Sequence, residues 1–90
     1  MTPRAELIIA RIRRIPRGSV LPYGMIDPEA PRFVGSVLAS TDQEVPWHRV
    51  VHADGSLPKG EKQRALLRRE GVPMRGARVD MERARARRPR

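Results

Sequence analysis

The 90-residue sequence contains no cysteine. That absence excludes disulfides, thiolate nucleophiles and cysteine-based zinc sites together. Aromatic residues are nearly missing as well, with one tyrosine (Tyr23), one phenylalanine (Phe33) and one tryptophan (Trp47). Hydrophobic residues make up 39% of the chain, enough for the modest core of a single small domain. A lone tryptophan in so aromatic-poor a chain is a candidate for more than filling volume. Long apolar runs are also lacking. The stretch Leu7–Ala10 lies between Arg4 and Arg11. It is too short for a signal peptide and far from the ~20 apolar residues of a membrane span. The expected location is cytoplasmic, nucleoid-associated in a bacterial cell.

Acidic residues are scarce relative to basic ones: 10 Asp and Glu against 19 Lys and Arg, a net charge of +9, with a pI near 11.6. So large an excess is costly in self-repulsion unless a polyanion is the usual partner. A membrane surface is the rival partner, but the one clearly amphipathic helix needs its apolar stripe for the core. Nucleic acid is therefore the expected partner and membrane is not.

Thr2-Pro3 reads as an N-cap followed by proline in the first helical turn. Ala5, Ile8, Ile9, Ile12 and Ile15 then recur at helical spacing, predicting a helix over 3–14 that Pro16 ends. From Arg17 to Pro31 there are two glycines and three prolines, leaving room for one helical turn at most between Tyr23 and Arg32. A second helix is expected from Pro31 to Ser40, with Phe33, Val34, Val37 and Leu38 facing the core. Its other face carries Arg32, Gly35, Ser36 and Ala39 at i, i+3, i+4 and i+7. Small side chains there suit either close helix packing or the close approach of a ligand. Residues 45–52 read as strand or loop, and Asp54-Gly55 as a turn. Residues 58–70 read as a third helix, with Leu66-Leu67 inward and Gly71 as its C-cap. Residues 72–81 suggest a hairpin with an arginine-bearing tip. Residues 82–90 hold five arginines and read as a basic, disordered tail, so the domain is set at 1–81. The sum is a mainly α chain with a little β, a winged helix-turn-helix whose first motif helix is shortened.

The run Val45-Pro46-Trp47-His48-Arg49-Val50 narrows this further. It resembles the Pro-Cys-His-Arg-Val motif of the O6-alkylguanine-DNA alkyltransferases, with tryptophan in place of the acceptor cysteine, as in the alkyltransferase-like proteins. Ile15-Pro16-Arg17-Gly18, Tyr23-Gly24, Arg32-Phe33-Val34-Gly35, Asp54-Gly55-Ser56-Leu57 and residues 64–71 are similar to flanking parts of that family, in the right order over residues 5–72. Two departures stand out. The segment between Tyr23 and Arg32 is shorter than the family's by more than a helical turn, and the family's asparagine hinge after the recognition helix is replaced by Thr41 or Asp42.

The resemblance implies a non-enzymatic binder of double-stranded DNA containing O6-alkylguanine. It would act by nucleotide flipping as a monomeric damage sensor for nucleotide excision repair proteins, without cofactor. Trp47, Pro46, His48 and Tyr23 would form the alkylguanine pocket. Arg32 would replace the flipped nucleotide in the duplex, Tyr23 would crowd the adjacent phosphate, and Gly35, Ser36 and Ala39 would let the helix enter the minor groove. His48, Arg49 and Glu70 would be the remnant of a catalytic relay, now structural. The bland alternative for Trp47 is a core residue. For the whole chain it is a general DNA- or RNA-binding winged helix without lesion preference. His48 and His52 lie four apart, but the segment is not helical and no carboxylate or cysteine completes a shell, so no metal is expected.

Overall fold

The computed structural model describes residues 2–84. Helix α1 (Pro3–Arg13) begins where the Thr2-Pro3 pair predicts, with the Thr2 hydroxyl accepting from the Ala5 amide at 3.1 Å. Its apolar stripe is fully inside: Ile8, Ile9 and Ile12 are buried, as is Ile15 in the turn that follows. Strand β1 (Leu21–Pro22) leads directly into α2 (Tyr23–Ile26), one turn long as the prolines require.

The short connector from α2 to α3 (Pro31–Ser40) is held by side chains from α1. Arg4 forks onto Asp27, Nε to Oδ2 at 2.9 Å and Nη2 to Oδ1 at 2.8 Å. Arg11 donates to the Ile26 carbonyl at 2.7 Å. Asp27 Oδ1 also accepts from the amides of Glu29 and Ala30, an Asx turn that steers the chain into α3. These contacts fix the path of the chain between the one-turn helix and α3.

After α3 the chain makes a single 3-10 turn at Trp47–Arg49 and enters strand β2 (Val50–Val51). Strand β2 pairs in parallel with β1, Leu21 opposite Val50 and Pro22 opposite Val51. This two-residue ladder joins two apolar clusters. Leu21 and Val50 belong to the one built on α1 and α3; Val20 and Val51 belong to the one under the C-terminal half.

Helix α4 spans Gly60–Arg69, two residues shorter at its start than the sequence suggests. Gly60 adopts φ +61°, which breaks helical continuity with Pro58 and Lys59. Its end follows expectation. Gly71 sits at φ +78°, its amide donates to the Arg68 carbonyl at 3.0 Å, and the Val72 amide donates to Leu67 at 3.0 Å. This is a Schellman closure, with Val72 and Leu67 meeting in the core. Strands β3 (Met74–Arg75) and β4 (Arg78–Val79) form the expected hairpin, an antiparallel wing.

One boundary is corrected. Residues 82–84 are not tail: Met81–Ala84 form a further helix, α5, and the Ala84 side chain is buried. The Val20 amide donates to the Ala84 carbonyl at 2.9 Å. Ala84 packs into the cluster of Val20, Val51, Leu67, Val72 and Val79, and this outweighs the basic composition around it. The remainder of the expected tail, residues 85–90, lies outside the described residues. No helix among the described residues is long and apolar enough to cross a membrane.

Candidate functional site

Trp47 starts the 3-10 turn, between Val45, whose carbonyl accepts from its amide at 2.7 Å, and the half-buried His48. The indole is half-buried and belongs to neither core cluster. It walls a cleft of about 610 Å³ together with Tyr23, Gly35, Leu38 and Ala39 from α2 and α3 and Pro58, Lys59, Lys62 and Gln63 from the start of α4 and the loop before it. The alternative of Trp47 as a core residue does not hold in this fold.

Tyr23 heads α2 and is half-buried; burial raises its phenol pKa above the ordinary value. A Cβ built on Gly35 would sit 4.0 Å from Tyr23 Cε1, so the two residues face each other across the start of the cleft. Arg32, Ser36 and Ala39 are exposed on α3. The small-residue face therefore opens to solvent and is not a helix-packing surface. Lys62 places its ammonium 5.8 Å from the centre of the indole ring. A cation over the face of tryptophan is attracted by the ring's negative quadrupole.

The sequence grouped Pro46 and His48 with Trp47 and Tyr23 around one pocket, and the structure divides them. Pro46 and His48 line a second cleft, with Gln43, Glu44 and Val45, which adjoins Trp47 as well. The cause is the 3-10 geometry: three residues per turn send successive side chains about 120° apart, so neighbours in sequence face different sides.

His48, Arg49 and Glu70 do come together. Arg49 donates from Nε to Glu70 Oε1 at 3.0 Å and from Nη2 to Oε2 at 2.8 Å, and from Nη1 to the Ile15 carbonyl at 3.0 Å. His48 Nε2 lies 2.9 Å from Glu70 Oε2. A carboxylate only accepts, so Nε2 carries the proton. The Arg49 hydrogen bonds, followed by those of His48, pull the Glu70 carboxyl down to about 2. Both carboxylate oxygens are occupied by scaffold contacts, which suits positioning of the Trp47 turn. His52 lies against Tyr23 instead, ring centres 5.5 Å apart and planes tilted by 39°.

Sequence reasoning missed Gln63. Its side chain is buried on α4, where it donates to the carbonyls of His48 at 3.0 Å and Val50 at 2.8 Å and accepts from the Lys59 amide at 3.1 Å. One amide thus fixes the turn that carries Trp47 and closes the start of α4. The available signal was a polar residue one turn before Leu67 on the buried stripe. Lys59 and Lys62 share that region and were missed for the opposite reason, as ordinary surface charges.

Comparison with known proteins gives this arrangement its relatives. Residues 3–72 match the family profile described as 6-O-methylguanine DNA methyltransferase, DNA binding domain. A DNA base-flipping protein of Thermus thermophilus is 36% identical over an alignment 81 positions long that covers 80% of this chain and 55% of that protein. The chain thus spans about half the length of that curated relative. The structure of S. pombe Atl1 in complex with damaged DNA containing O6-carboxymethylguanine matches with a TM-score of 0.81 at 23% identity, over 97% of each chain. At that identity the likeness is one of fold. Mycobacterium tuberculosis OGT in complex with DNA matches with a TM-score of 0.68 at 28% identity, over 96% of this chain and 54% of that one.

Proposed function

The chain belongs to the family of the 6-O-methylguanine DNA methyltransferase DNA-binding domain, and on that premise we propose that it binds duplex DNA containing O6-alkylguanine as a sensor, without transferring the alkyl group. The observation that carries this reading is the indole of Trp47 at the wall of an open cleft; the resemblance of Pro46-Trp47-His48-Arg49-Val50 to the enzymes' Pro-Cys-His-Arg-Val motif supports reading it in place of their acceptor cysteine. Support comes from a relative named for base flipping and from a neighbour in fold that was captured on a damaged duplex.

Transfer to protein needs a polarisable nucleophile activated by a base. The chain has no cysteine. Indole carbon and nitrogen are poor nucleophiles at neutral pH, and Glu70 is held as a carboxylate by Arg49. His48 and Glu70 therefore orient the turn and do not run a relay.

Binding proceeds by the steps the side chains allow. The exposed small face of α3 enters the narrow minor groove, where bulky residues would clash with the sugar-phosphate walls. Arg32 fills the space left by the extruded nucleotide and offers planar donors to the orphaned base. Tyr23 crowds the adjoining phosphate, and the base swings into the cleft beside it. Extrusion costs a few kcal/mol and less for a lesion that pairs poorly. Each alkyl methylene covered by Trp47 and its neighbours then returns roughly 0.8 kcal/mol. Both effects favour the lesion over guanine. The bound monomer would mark the site for nucleotide excision repair proteins in the cytoplasm or nucleoid.

A second reading, a general DNA- or RNA-binding winged helix, is favoured by one observation: α2 is a single turn. The two readings separate on the affinities for an O6-methylguanine duplex and the same plain duplex at matched salt. Sensing predicts at least about tenfold preference, some 1.4 kcal/mol, abolished in Trp47→Ala, with Arg32→Ala weakening both duplexes. Equal affinities overturn sensing and leave the general binder.

A further inference from the structure

The β3–β4 wing carries two arginines that nothing in the lesion cleft uses. Arg75 and Arg78 are register partners across the hairpin. Like charges directly opposite on a two-stranded ribbon are destabilising. The carboxylates nearest them do little to offset this. Arg75 Nε is 3.8 Å from Asp80 and Arg78 Nη1 is 3.7 Å from Asp54, and the two arginine side chains are 76% and 63% exposed. Asp54 is further engaged, its Oδ1 accepting from the Ser56 amide at 3.0 Å and hydroxyl at 2.7 Å.

The hairpin is not an independent flap. The Val79 amide donates to the Gly55 carbonyl at 2.9 Å. Gly55 adopts φ +86°, and any Cβ there would collide with the Val79 carbonyl, so turn and wing are fitted to each other. The same turn begins at His52, whose ring lies against that of Tyr23. A chain of contacts therefore links Gly35 on α3 through Tyr23, His52 and the turn at Asp54 to Arg78. It ends at the register pair Arg75 and Arg78, both exposed, on a chain of net charge +9.

We propose that Arg75 and Arg78 form a second DNA contact, gripping backbone phosphates of the duplex beyond the lesion. This rests on the duplex-binding reading above, and it adds affinity without adding lesion preference, since phosphate contacts position a protein and carry no base information.

The test measures binding of the full chain and of the R75Q/R78Q and R75K/R78K variants to a plain duplex and to the same duplex carrying O6-methylguanine, across a salt series. Both positions are exposed, and the lysine pair controls for folding of the hairpin. Removing one arginine–phosphate pairing makes the slope of log K against log salt shallower by about 0.9, which is about eightfold in affinity at 0.1 M salt. R75Q/R78Q removes two such pairings, so its slope is expected to be shallower by about 1.8, about sixtyfold in affinity at 0.1 M salt, on both duplexes with their ratio unchanged, and R75K/R78K is expected to keep most of the parent affinity. An unaltered slope, a weakening confined to the alkylated duplex, or an equal weakening in the lysine pair overturns the proposal. So does a glutamine pair that binds duplex normally but no longer binds polyglutamate, which would assign the wing to an acidic protein. Equal affinity of the parent chain for the two duplexes would instead overturn sensing alone, because the slope is read on plain DNA.

Discussion

Arg49 holds Glu70 with both arms of its guanidinium, Nε on one carboxylate oxygen at 3.0 Å and Nη2 on the other at 2.8 Å. The fork links the turn carrying Trp47 to the C-terminal end of α4, and the third Arg49 nitrogen reaches back to the end of the α1 segment at Ile15. The Arg49–Glu70 pair is thus a tie between three parts of the fold.

That tie sets an acid sensitivity. The Glu70 carboxyl lies at about 2 in the folded chain against an ordinary 4.5. A lowered native pKa means that the unfolded chain takes up the proton first. The stabilisation is complete above the unfolded value and is lost as pH falls from about 4.5 toward 2. At roughly 1.4 kcal/mol per pH unit of difference it amounts to about 3 kcal/mol. Glu70→Gln should flatten this part of the profile of thermal stability against pH; an identical acid limb in the variant would show that the pair is not responsible.

Gln63 should be as necessary as its burial suggests. Gln63→Leu leaves the His48 and Val50 carbonyls and the Lys59 amide without their partner. Unsatisfied buried groups cost about 1–3 kcal/mol each, and some will be reached by water, so a destabilisation of about 2–4 kcal/mol is expected in urea unfolding. A midpoint within experimental error of the parent's would contradict the assignment.

Gly35→Ala should move stability and binding in opposite directions. A Cβ there makes only an ordinary contact with Tyr23, and alanine favours a helix interior by up to about 1 kcal/mol over glycine. The variant should unfold later. It should also bind duplex more weakly, because the added methyl narrows the face that meets the minor groove and the mouth of the cleft. Stronger binding would place the DNA elsewhere on α3.

Most helices were legible because their signals are local. Thr2-Pro3 gives the start of α1, Pro31 that of α3, and Gly71 the end of α4. The hairpin was legible from its glycine and flanking apolar residues. The β1–β2 ladder was not, since two residues per strand carry no periodicity and the partners are far apart in sequence. The clamp of Arg4 on Asp27 was hidden for a similar reason: charge pairing across 23 positions leaves no pattern in one sequence. At the site, Trp47, Tyr23, His48, Arg49 and Glu70 were found through the motif they share with a family. The division of Pro46 and His48 from the main cleft depended on the 3-10 turn, which no local signal announced.

The most direct measurement uses the chain's single tryptophan as its own reporter. Fluorescence of Trp47 is followed while O6-methylguanine duplex or the matching plain duplex is added at equal salt. A base stacked in the cleft must change the environment of the indole, so the alkylated duplex should shift or quench its emission well before the plain one does. Identical responses to both duplexes, with binding confirmed by an independent readout, would contradict the claim that the indole receives the modified base.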